Sequence, residues 1–244
     1  VIICAMGETA DMSGECASRT NLEMPDVQHE LLAELAKMGK PVVLLNFAGR
    51  PTVLSWEKEH IPAIMNVWFG GSEMGDALCD VIFGDKVPSG KLTTSMPKTT
   101  GQEPLYYNHQ NTGRPVPDDN QKFAKFASNC LDVSNGPLYP FGYGLSYTTF
   151  EYGDLKLSSH EVNTDDWKIT ATINLKNTGS RDADEIVQLY IRDMVASISR
   201  PVKELKGFQR IHLAAGESRE ISFDITPEML KFYNAELKHV IEPG

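Results

Sequence analysis

The sequence predicts an α/β region of mostly parallel strands followed by a small antiparallel β-sandwich. Three observations carry this. Over the first hundred or so residues, short apolar runs alternate with helical patterns, the signature of parallel βα units. From about residue 98 to 137 the pattern dissolves into Pro, Gly, Asn and Asp. After "PLYPFGYGLSYTTF" the apolar period becomes two.

Taken in order, "VIICAM" reads as a strand buried on both faces. "PDVQHELLAELAKMG" reads as a helix with Val27, Leu31 and Leu35 on its apolar stripe, Asp26 in the first turn and Gly39 as its stop. "PVVLLNFAG" is a second buried strand and "AIMNVWFGG" a third, with at most a short helix at "SWEKEH". "SEMGDALCDVIFG" predicts a helix capped by Ser72, burying Ala77, Leu78, Val81 and Ile82 and ending at Gly84. "KLTTSMP" is expected as a fourth, more polar edge strand. In the second region Ile169, Ala171, Ile173 and Leu175 alternate with polar residues, and "EIVQLYIRD" and "REISFDIT" repeat the pattern between the turns "NTGS" and "AAGES". The domain division is therefore 1–137, with a long linker from about 98, and 138–244, of immunoglobulin-like size. The closing "HVIEPG" reads as a turn awaiting one more strand, and the start in mid-strand without Met reads as a fragment.

The 244 residues are 41% hydrophobic and 23% charged, a globular composition, with a net charge of −10. Acidity argues against nucleic acid or an anionic membrane as partner and favours a neutral substrate. No apolar run approaches the ~20 residues that span a bilayer. The cysteines at 4, 16, 79 and 130 are scattered, with no CxxC pair and no His at metal-ligand spacing, so packing residues or free thiols are expected, and no metal or cofactor. "GETADM" lacks GxGxxG, and no GxxxxGK[ST] occurs, so phosphate-binding glycines are absent.

The loop "GETADMSGECASRTNLEMP" holds Glu8, Asp11, Glu15 and Glu23 with one nearby cation, Arg19. A solvated surface loop and a source of acid–base chemistry both fit such a loop.

The motifs are more specific than the architecture. In order they are "GE…GE…SRTNLEMP", "KPVVLLNFAGRP", "AIMNVWFGGSEMGDALCDVIFGDKVPSGKL", "YYNHQNTGRP" and "GPLYPFGYGLSYTTF". With the β-sandwich they resemble the C-terminal part of glycoside hydrolase family 3, especially its bacterial periplasmic-type β-glucosidases, over essentially the whole chain. The resemblance implies the second half of an α/β sandwich domain followed by a fibronectin type III-like domain. It also implies a (β/α)8 barrel, outside this chain, that carries an Asp nucleophile. The implied activity is retaining hydrolysis of terminal β-D-glucosyl residues, in the periplasm or outside the cell, without cofactor. β-Xylosidases and α-L-arabinofuranosidases share the scaffold, and a noncatalytic carbohydrate-binding or interdomain module is the alternative from another class.

Retaining hydrolysis needs two carboxyl groups ~5–5.5 Å apart, one attacking the anomeric carbon and one cycling a proton. The resemblance selects Glu15, before Ser18–Arg19 and "NLEMP", as the general acid/base. Glu8, at the strand's carboxyl end, stands next, while Asp11 and Glu23 read as solvated or capping residues. Trp68 is the candidate for stacking on a sugar ring, against a buried packing role. Glu73 reads as a helix cap and His109 as structural. Arg50 and Arg114 resemble family segments tying this region to neighbouring domains, and Arg19 is expected in an ion pair within its loop.

Overall fold

The computed structural model describes residues 1–121, 123–162 and 167–244. It divides into two compact units: residues 1–79, 92–106 and 114–141 form one, and residues 80–91, 107–113 and 142–244 the other.

In the first unit, β1 (Ile2–Gly7), β2 (Val42–Phe47) and β3 (Ala63–Asn66) form a parallel sheet in the order β1-β2-β3. The register runs from Ile2↔Val42 to Gly7↔Phe47 and from Val43↔Ala63 to Asn46↔Asn66, so all three strands deliver their chains to one carboxyl edge. Only the middle strand has the burial expected of a two-faced core strand: Val42, Leu44, Leu45 and Asn46 are all buried. β1 is an outer strand of this sheet, and Ile3 is 45% exposed, so the expectation of burial on both faces fails there. One core joins Cys4, Met24, Leu32, Val42, Leu44 and Ile61, with Trp56 and Ile64 packed against it.

Helix α1 (Asp26–Ala36) covers the sheet through Leu32, Leu35 and Ala36; of the predicted stripe Leu35 faces the core, whereas Val27 is 78% and Leu31 52% exposed. The Gln28 amide takes both backbone groups of Gly7, accepting from the N–H at 2.7 Å and donating to the carbonyl at 3.0 Å, contacts that fit the 28/32/35 face turned inward. Gly39 follows the helix at φ +69°, as expected of a stop. α2 (Ser55–His60) is the short helix foreseen.

Helix α3 (Met74–Phe83) ends before Gly84 at φ +85°, but it buries no residue: Leu78, Val81 and Ile82 are half-buried and Ala77 is exposed. "KLTTSMP" is not a fourth strand. Met96 alone bridges to Tyr139, donating its N–H to the Tyr139 carbonyl at 2.8 Å, and closes a second small core with Leu54 and Leu138. Burial here runs through three consecutive residues, Ser95, Met96 and Pro97, with Leu92 packed on the same core, rather than along an alternating face. The long segment that follows carries no strand or α-helix among its described residues, yet it is tied down. The Gln102 amide donates to the Ser134 carbonyl at 2.9 Å, and Lys98 donates to the Ser134 hydroxyl. Burial first, and Lys58 second, hold the Lys98 ammonium pKa below its ordinary range.

The second unit is an antiparallel sandwich. β6 (Ile169–Asn177) pairs with β4 (Phe150–Tyr152) and β5 (Lys156–Leu157), and with β9 (Ser218–Ile225). β7 (Ala183–Ile191) and β8 (Glu204–Leu213) form the other sheet, with a bulge at Leu189/Tyr190. Leu175, Val187, Leu213 and Ile221 meet in the core, as the period-two reading requires for Leu175. Buried Asn177 closes the "NTGS" turn: its Nδ2 donates to the carbonyls of Arg181 and Leu213, and its Oδ1 accepts from Thr148 and Gly179. Lys91 of the "PSGKL" motif bonds the Gly144 carbonyl and pairs at 3.0 Å with buried Glu185, which also accepts from Tyr152. Burial, reinforced by the Glu185 charge, pushes the Tyr152 phenol far above its ordinary range. After α4 (Pro227–Leu230), β10 (Phe232–Tyr233) pairs with β11 (His239–Val240), so the first part of "HVIEPG" is strand rather than turn.

Two substitutions test these assignments by thermal or denaturant unfolding. Gly7 sits at φ +136°, and a Cβ there would overlap the Phe47 carbonyl, a backbone atom that cannot step aside. Gly7→Ala is expected to cost more than ~3 kcal/mol. Leu175→Ala empties a fully buried site and is expected to cost about 2–5 kcal/mol.

Candidate active site

The carboxyl edge of the parallel sheet gathers three loops: residues 8–25 after β1, 48–54 after β2 and 67–73 after β3. Open parallel sheets place ligands outside this edge. Gly49 marks where the loops meet. A Cβ there would overlap the Ser13 hydroxyl from the first loop and come within 3.1 Å of the Phe69 ring edge from the third. Below them Asn46 joins β2 to β3, its amide donating to Asn66 Oδ1 at 2.8 Å and to Thr52 Oγ1 at 3.0 Å.

The four carboxylates of the first loop have different surroundings. The Glu8 side chain is 1% exposed and accepts two hydrogen bonds: Arg19 Nη1 donates to Oε1 at 3.0 Å, and the Gly49 N–H to Oε2 at 3.1 Å. The Arg50 Nε stands 3.0 Å from Oε1 as an ion pair. Glu8 is therefore the internal counter-ion of two guanidiniums rather than a group open to a substrate. Asp11 is exposed in a 3-10 turn at Ala10–Met12. Glu23 is exposed, its carbonyl accepting from Arg19 Nη2 at 3.1 Å. Glu15 is exposed at the loop's outermost turn, between Gly14 at φ +145° and Cys16 at φ +63°, and its carboxylate has no partner among the described residues.

Trp68 leaves β3 half-buried and in a left-handed backbone, φ +54°, rare for a bulky side chain. Glu73 accepts the Ala77 N–H on its carbonyl at the start of α3. His109 is exposed and bonds the Gln110 carbonyl through Nδ1. Arg114 is exposed, its carbonyl accepting from Ser128. Arg50, expected to reach outside its domain, instead turns inward to Glu8 and to the first loop's carbonyls. The cysteines are free thiols, and among the described residues no group of three His, Cys, Asp or Glu side chains is placed to hold a metal. Sequence reasoning missed the Glu8–Arg50 pair; its one visible signal was that "MGE" and "FAGR" end adjacent parallel strands, which puts an acid and a base at the same edge.

The chain thus joins a parallel sheet with loops at its carboxyl edge to an antiparallel sandwich. Comparison with known proteins agrees. Residues 1–147 match the glycosyl hydrolase family 3 C-terminal domain, and residues 185–244 the fibronectin type III-like domain. The chain belongs to glycosyl hydrolase family 3. It is 48% identical over its whole length to a periplasmic β-glucosidase of Salmonella typhimurium and 40% identical over its whole length to a β-xylosidase of Formosa agariphila, spanning 32% of each. The crystal structure of a β-glucosidase from Listeria innocua in complex with isofagomine superposes with a TM-score of 0.91 at 42% identity, over 99% of this chain and 33% of that one. The chain thus spans about a third of the length of the relatives it matches.

The Glu8 cluster gives a stability prediction. Removing the carboxylate leaves two largely buried guanidiniums facing each other, so Glu8→Ala is expected to destabilise by about 3–5 kcal/mol in denaturant titration. A loss below ~1 kcal/mol would mean the pair is not held as described.

Proposed function

We propose that the chain is the C-terminal region of a retaining β-D-glucosidase and supplies the general acid/base, Glu15, to a catalytic barrel elsewhere in the same protein. The domain division near residue 138 belongs to this reading. The observation that carries it is the contrast within one loop: Glu8 is buried and ion-paired, whereas Glu15 is exposed and unpartnered among the described residues, in a turn held from both sides. An acid/base that shuttles protons must keep its oxygens free until the sugar arrives. In the first half-reaction Glu15 protonates the departing glycosidic oxygen while an Asp of the barrel attacks the anomeric carbon; in the second it takes a proton from the water that cleaves the glycosyl ester. Trp68, at the same sheet edge, is suited to stacking on an apolar sugar face. The name of the Salmonella typhimurium relative supports a periplasmic location for the whole protein.

A second reading keeps the mechanism and changes the sugar, since a relative 40% identical across the whole chain is named a β-xylosidase. A panel of aryl β-glucosides and β-xylosides on the intact protein decides between them.

In the intact enzyme Glu15→Gln is expected to slow substrates with poor leaving groups by about 10²–10⁴-fold and activated aryl glycosides far less, because only the former need a proton on departure. Equal losses on both would move the role to another residue. Residues 1–244 alone are expected to show no turnover of an aryl β-glucoside, and a rate near that of the intact enzyme would end the two-domain scheme.

A further inference from the structure

We infer that Arg50, anchored on Glu8, is a positioning residue that holds the Glu15 loop in its working geometry; this rests on the reading of Glu15 as the acid/base. The loop from Glu8 to Met24 is 17 residues long and its regular structure is one 3-10 turn, Ala10–Met12, and one β-bridge near its far end, Glu23 to Val53, so the stretch from Ser13 to Asn21 around Glu15 has none. A chain of that kind places a carboxylate accurately only if something outside it fixes the backbone near that residue. Arg50 does this from the neighbouring strand's loop. Its Nη2 donates to the Met12 carbonyl at 2.5 Å and reaches the Ala17 carbonyl at 3.5 Å, three residues before Glu15 and two after it. The same guanidinium faces Glu8 Oε1 through Nε at 3.0 Å, and Glu8 is itself tied to the second loop through the Gly49 N–H. Arg19 adds a second tether beyond the turn, linking Glu8 to the Glu23 carbonyl. Glu15 is thus bracketed at residues 12, 17 and 19 while its own oxygens stay free.

The geometry explains why the residue is arginine. One end of a planar fork meets a buried carboxylate while the other meets backbone carbonyls; a lysine ammonium is a single point on a flexible stem and cannot span both. The Arg50 side chain, 19% exposed, is sheltered enough for the contacts to persist. Arg50 touches no reacting atom in this scheme and acts through the loop.

The test uses the intact enzyme and aryl glycosides of its preferred sugar, with Arg50→Lys, Arg50→Met and Glu8→Gln compared with Glu15→Gln. A displaced acid should lower kcat on a poor leaving group by at least about tenfold with KM nearly unchanged. With a 2,4-dinitrophenyl glycoside, which departs without a proton, hydrolysis of the glycosyl ester then limits turnover. Azide attacks the anomeric carbon of that ester and releases the enzyme carboxylate without needing a base. It should therefore restore turnover and yield a glycosyl azide in the Arg50 and Glu8 variants as in Glu15→Gln. Arg50→Lys is the gentlest of the set and keeps the test readable if Arg50→Met does not fold. Wild-type kinetics in folded Arg50 variants, or equal losses on both substrates without an azide response, would overturn the inference while Glu15→Gln still shows its own signature. If Glu15→Gln lacks that signature, the reading of Glu15 falls and the inference with it.

Discussion

The carboxyl edge of the parallel sheet is organised around one buried carboxylate. Glu8, the first residue after β1, sits between Arg19 and Arg50 and accepts the Gly49 N–H. Sequestering a charge is costly, and partners on more than one side offset that cost only when the geometry is well made. Here the partners come from two loops, so satisfying Glu8 requires that both be in place together. The electrostatic demand of one side chain thereby fixes the relative position of backbone segments that have little regular structure of their own. The direction of the first loop, and with it the outward turn carrying Glu15, follows from that demand.

The same edge depends on close backbone approach. Gly7 exchanges hydrogen bonds with the Gln28 amide while its Cα hydrogen lies where a methyl would strike the Phe47 carbonyl. Gly49 admits the Ser13 hydroxyl and the Phe69 ring. Charge pairing and the absence of side chains are complementary here: the guanidiniums draw the loops inward, and the glycines give them room. In the second unit the corresponding tasks fall to neutral and paired polar groups, Asn177 at a turn and the Lys91–Glu185 pair beside Tyr152.

What could be read from residues alone was the part governed by local periodicity. The middle strand around Val42–Phe47 and the alternation through Ile169–Leu175 were legible because each side chain's environment follows from its place in a repeat. The inward face of α1 was legible only at Leu35, since the residues beside it on that face include a polar one, Gln28, whose contacts lie 21 positions away. "KLTTSMP" looked like a strand because a methionine and a leucine imitate alternation; both pack on one small core, but only Met96 makes a β-bridge. At the candidate site the family resemblance singled out Glu15, whereas the spatial role of Glu8 stayed hidden. Its partner at Arg50 lies beyond a helix and a strand, and no spacing rule links the two.

The left-handed backbone at Trp68 carries a consequence of its own. A bulky residue at positive φ costs on the order of 1–3 kcal/mol in every folded molecule, so the energy of folding and the aim of the indole are governed by the same two torsions. A glycine there would relieve the backbone and surrender the exit angle that carries the chain from β3 past Phe69 toward α3. Mutational tolerance along this rim is therefore bounded by conformation before it is bounded by hydrophobicity. Variants selected there for thermal robustness alone would drift toward a looser, more comfortable edge.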